Sequence, residues 1–105
     1  MKKYLLLLVI FPSICFAGWT EQGEISSIYS HNGFIIIDSS VSSNLCGTNG
    51  KFWWPTSDDD SQELLSLALT AFTAGFKVQV VVNDTPASTD CLYGGNKMTH
   101  LKIFK

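Results

Sequence analysis

The sequence predicts a mainly β domain with one helix, its elements in the order β-β-β-α-β-β. Three patterns carry this reading. Asn32-Gly33 stands between two β-favouring runs, and apolar residues repeat at helical spacing between Ser61 and Ala74. Phe76, Val78, Val80 and Val82 then alternate with Lys77, Gln79 and Asn83.

The first pair of strands is set by its turn. Asn and Gly both tolerate the positive φ of a two-residue hairpin, so the flanking runs read as strands over about residues 23–30 and 34–39. Residues 39–44 are rich in serine and read as a loop. A short third strand covers 51–54 and stops at Pro55. Acidic residues at 58–60 suit a helix N-terminus, and Asp60 with Glu63 has capping-box spacing. Leu65, Ala68, Leu69, Phe72 and Phe76 then fall on one helical face, and Gly75 suits the C-terminal cap. The alternating valines form a strand with one buried face. Residues 83–96 read as loop, and 98–104 as the last strand. This order is that of a five-stranded OB-fold-like barrel, with the helix plugging one end through Leu65, Leu69 and Phe72. An open α+β sheet of four or five strands shares the order and is the competing architecture.

Residues 1–17 read as a secretory signal peptide: Lys2 and Lys3, an apolar run to Ile14, then Cys15-Phe16-Ala17, with cleavage expected before Gly18. The run is short of the roughly 20 residues that span a bilayer, so stable membrane insertion is not expected. Cleavage leaves 18–105, one domain of 88 residues, exported across a bacterial inner membrane to the periplasm or beyond. That part keeps five lysines and all nine acidic residues, for a net charge of −4, and the chain has no arginine. Phosphate binding draws on Lys and Arg, which argues against nucleic acid as a partner. Cys46 and Cys91 remain, and pairing is the simplest outcome in an oxidising compartment; a two-cysteine metal site with His31 or His100 lacks metal-ligand spacing.

The segment Gly23-Glu-Ile-Ser-Ser-Ile-Tyr-Ser-His-Asn-Gly-Phe-Ile-Ile-Ile resembles the first hairpin of small exported OB-fold proteins. The unit Glu63-Leu-Leu-Ser-Leu-Ala-Leu-Thr-Ala-Phe-Thr-Ala-Gly-Phe-Lys-Val-Gln-Val-Val-Val is similar to the helix–strand unit of the cell-binding B subunits of subtilase cytotoxin and its relatives, as is Gly18-Trp19-Thr20 to their start. The resemblance implies an OB-fold, a ring of five identical subunits and binding of sialylated glycans. It carries no binding residue across.

Trp53-Trp54 is the most informative pair for function. Neighbours on a strand face opposite ways, and Phe52 shares the side of Trp54, so Trp54 is expected in the core and Trp53 outside. Trp53, with Tyr29 and His31, forms the candidate ligand-binding set for a cell-surface glycan or an exported protein. The alternatives for Trp53 are a subunit contact and burial of both indoles under the helix or a loop. Leu64, Leu67 and Ala71 form a second apolar stripe on the helix and are the candidate interface of a homo-oligomer, a pentamer in preference to a dimer. Asp58-Asp59-Asp60 lacks the alternation of a calcium loop. No serine sits in a nucleophile elbow and neither histidine has a partnered nucleophile, so neither catalysis nor a cofactor is expected. The expected function is a binding module, with a structural, interaction or inhibitor domain lacking a small ligand as the alternative.

Overall fold

The computed structural model describes residues 18–43 and 45–105; the leader assigned to residues 1–17 lies outside them. The chain is mainly β with one helix. In order come β1 (Gly18–Trp19), β2 (Gly23–His31), β3 (Phe34–Ser39), β4 (Lys51–Pro55), α1 (Ser61–Ala74), β5 (Lys77–Val82), a 3-10 turn (Ser88–Asp90), β6 (Cys91–Leu92) and β7 (Gly95–Phe104).

Five strands form a ring. β2 pairs with β3, β3 with β4, β4 with β7, β7 with β5, and β5 returns to β2. Every contact in the ring is antiparallel except β4–β7, where Phe52 lies opposite Asn96 and Trp53 opposite Lys97. The two-residue strands β1 and β6 sit outside the ring, on β5 and β7. Asn32 (φ 52°) and Gly33 (φ 84°) both adopt the left-handed backbone that the β2–β3 turn demands. The ring tightens where β2 meets the 40–41 backbone: a Cβ on Gly23 would meet the Val41 nitrogen.

Phe52, Trp54, Ile37, Val78, Val80 and Met98 fill the interior and are fully buried. Cys46 and Cys91 are joined by a disulfide, the pairing expected from their number, and such bonds persist in oxidising compartments. Among the described residues no helix is long and apolar enough to cross a membrane.

The helix is rotated from the expected setting. Leu64, Ala68 and Ala71 face the core, whereas Leu69 and Phe72 are each 46% exposed and Leu67 is 37% exposed. The assignment of Leu64 and Ala71 to an outer stripe is therefore corrected, and so is the plug of Leu69 and Phe72. Trp54 supplies the reason. Its indole N–H donates to Ser61 Oγ at 3.0 Å inside the core, which turns the Ser61 side of the helix inward. With Trp54 and Phe52 already filling that space, the close approach suits Ala68 and Ala71 better than Phe72. The Asp60–Glu63 capping box is also absent. Asp60 is the N-cap residue, but its side chain makes no cap hydrogen bond, and its carbonyl accepts from Leu64 N–H at 3.0 Å. At the other end Gly75 closes the helix with φ 72°, as its position predicts.

Candidate functional site: an aromatic ledge on the outside of the ring

Alternation along β2, β3 and β4 lines up three cross-strand rows on the outer face. Ser27, Asp38 and Lys51 make one row; Tyr29, Ile36 and Trp53 the next; His31, Phe34 and Pro55 the third. The face therefore runs from a polar end to an aromatic one, with Trp53 near its middle.

Trp53 is on the expected outer face but is not exposed. It is only 3% accessible, which corrects its assignment as the exposed stacking residue. Its cover is the segment between β5 and β7. The Trp53 indole N–H donates to the Asp90 carbonyl at 3.2 Å and the Gly95 carbonyl at 3.0 Å. The Cys46–Cys91 bond fastens this segment, and Thr48 N–H adds a 3.0 Å bond to the Gly94 carbonyl. Gly95 permits the close approach, since a Cβ there would lie 2.9 Å from the Lys51 carbonyl oxygen. Of the alternatives open for this indole, burial under a loop is the outcome.

What reaches solvent is a second layer of rings. Phe34 packs edge-on to Trp53 at 5.3 Å and meets Tyr93 at 5.8 Å, while His31 meets Tyr93 edge-on at 5.1 Å. These are favourable aromatic geometries. Tyr29 and Tyr93 are 41% and 43% exposed, and His31 is exposed beside them. Tyr93 lies within residues 83–96, which read as loop in the sequence. It forms with Gly94 the two-residue turn between β6 and β7, with φ of 56° and 77°. A left-handed backbone costs a non-glycine residue about 1–2 kcal/mol. Dipeptides such as Asn-Gly suit such a turn, and Tyr-Gly gave no comparable signal in the sequence.

The polar row is internally neutralised. Lys51 Nζ donates to the Tyr29 hydroxyl at 2.9 Å and pairs with Asp38 at 3.1 Å, while Ser27 Oγ donates to Asp38 at 2.7 Å. The Tyr29 hydroxyl beside it, helped by Asp38, raises the Lys51 pKa above its ordinary value despite partial burial. Lys97 lies 6.0 Å from the Trp53 ring centroid and 4.0 Å from Asp58, so a second ion pair borders the ledge.

The histidines have other neighbours. His31 Nε2 lies 3.2 Å from Asn32 Nδ2, and His100 Nδ1 lies 2.8 Å from Thr99 Oγ1. No ion pair joins either to a carboxylate among the described residues, and no group of three or more His, Cys, Asp or Glu there could hold a metal ion. The ledge offers ring faces, hydroxyls and paired charges. That chemistry suits recognition of a polar molecule with apolar faces. Compared with known protein families, curated proteins and solved structures, the chain matches none.

Proposed function

We propose that this chain is an exported binding module, secreted or periplasmic, built as an OB-fold barrel and recognising a glycan on its aromatic ledge. The fold part of this reading rests on the closed strand order, its one parallel contact between β4 and β7, and a single helix between β4 and β5. OB-folds bind oligonucleotides and oligosaccharides across their second and third strands and the loops beside them. Here those strands are β3 and β4, flanked by the Asn32-Gly33 turn and the 83–94 segment. Lacking arginine, and with its ledge lysines paired to Asp38 and Asp58, this face is poorly suited to phosphate backbones and better suited to sugars.

The proposal rests on exposed His31 and Tyr93 packed with half-buried Phe34 against buried Trp53, with exposed Tyr29 two strands across in the Trp53 row. Aromatic rings in polar company stack on the apolar faces of sugars, and the disulfide-fastened layer beneath limits the ordering cost of binding. The experiment is a glycan-array screen of the oxidised exported chain. Binding that disappears in Tyr93→Ala supports the reading, and an array without hits on active, folded protein refutes it.

A second reading follows from the helix. Leu69 and Phe72 are exposed side by side on one flank of α1, an apolar surface of the kind that subunit contacts cover. On this reading the chain is a homo-oligomer, a pentamer if the toxin-subunit resemblance extends to assembly, or a protein-interaction domain without a small ligand. Light scattering at micromolar concentration separates these from a monomer.

A further inference from the structure

A concave feature outside the ledge residues lies where β1 meets Ser42, Ser43 and Leu45. It is an open cleft of about 400 Å³ whose lining includes Trp19, Ser42, Ser43, Leu45, Val82 and Asp84. We infer that this cleft binds a cationic head group carried on an aliphatic stem, a primary ammonium or guanidinium, with Trp19 and Leu45 holding the stem and Asp84 the charge.

The apolar walls come first. Trp19 and Leu45 are 46% and 48% exposed, in a chain that buries most of its large hydrophobic side chains, and both line this one cleft with Val82. The backbone beside each wall is held. Next to Trp19, Thr20 N–H donates to the Val80 carbonyl at 2.9 Å and the Thr20 carbonyl accepts from Gln79 Nε2 at 2.7 Å. On the other side Ser43 N–H donates to Asn49 Oδ1 at 2.7 Å, the Ser43 carbonyl accepts from Gly50 N–H at 2.9 Å, and Leu45 adjoins the disulfide. A stem entering between them loses water against surfaces already in place.

Charge then selects the head group. Asp84 is the charged residue of the lining, and among the described residues no ion pair engages it. It is half-buried and positioned by its neighbours, since Asn83 Oδ1 accepts from Thr85 N–H at 3.0 Å across it. Among the described residues no lysine, arginine or histidine lines the cleft. The Lys102 ammonium lies 5.1 Å from the Trp19 ring centroid, so the indole is assigned to the stem and Asp84 alone to the head group. That same lysine is the group an anionic ligand would seek, which makes charge reversal the discriminating comparison.

The test follows the Trp19 indole N–H by NMR in the oxidised exported chain during titration with n-butylammonium, n-butanol and butyrate. The expected result is saturable binding of butylammonium at least tenfold tighter than butanol, with butyrate weakest. Asp84→Asn should reduce the ammonium to the level of the alcohol, and Leu45→Ala should weaken both while leaving the fold intact. A capped lysine peptide binding as tightly as the free amine would place the stem on a partner chain, and a weaker one would favour a free amine. Equal binding of all three probes, preference for butyrate, or an unchanged Asp84→Asn variant would each overturn the assignment.

Discussion

Trp53 donates its indole N–H to the Gly95 carbonyl at 3.0 Å, across the one parallel contact of the ring and beneath the disulfide-fastened segment. That relationship turns an outward-facing residue into the support of the ledge, and most of the testable consequences run through it.

Trp53→Ala should destabilise the protein severely. A buried Trp truncated to Ala costs about 3–5 kcal/mol, and the Asp90 and Gly95 carbonyls lose their shared donor as well. Urea unfolding should place the variant at or past the edge of stability. A midpoint close to wild type would mean that Trp53 is not covered.

Reduction of Cys46–Cys91 should loosen the cover before the ring. The bond closes a separation of 45 residues, about 4 kcal/mol in the chain-entropy model. The Cys46→Ser/Cys91→Ser variant should show lower stability, red-shifted tryptophan emission and weakened glycan binding. Unchanged emission would show that the 83–94 segment stays closed without its bond.

Tyr93→Asn separates the ring from its strained backbone. Asn relieves about 1 kcal/mol of left-handed strain while the lost His31 and Phe34 contacts cost a similar amount, so stability should barely move. Glycan affinity should fall about tenfold or more, because a stacking partner is gone. Thermal melts with a binding isotherm check both halves.

The helix rotation gives a paired comparison. Leu64→Ala should cost about 2–4 kcal/mol, as core truncations do, whereas Leu69→Ala should cost under about 1 kcal/mol. Denaturant titration of the two variants decides which face is inside. If the exposed stripe is an interface, Leu69→Glu with Phe72→Glu should reduce the scattering mass without lowering the protomer's stability.

The sequence made the periodic features legible and the non-local ones obscure. Asn32-Gly33, the valine alternation and Gly75 act within a few residues, so the hairpin, β5 and the helix end stand where local chemistry puts them. The rotation of α1 does not, because Leu64, Leu65, Leu67, Leu69 and Phe72 are apolar on both flanks. The deciding bond, Trp54 to Ser61, is tertiary. Trp53 kept its face by alternation but lost its exposure to a segment nearly 40 residues further on, whose path the disulfide and the strained Tyr93-Gly94 turn set. Tyr29 and His31 were legible as exposed residues of the first hairpin. Tyr93, which joins them, was hidden by a turn dipeptide of unusual composition.

Chemical-shift mapping of the oxidised protein with the strongest array ligand tests the ledge directly. A glycan seated on the ledge should give saturable shifts concentrated at Tyr29, His31, Phe34 and Tyr93, with the Trp53 indole N–H responding through its contact with Phe34. Shifts confined to the helix or to the far side of the β5–β7 pair, with these residues silent, would contradict it.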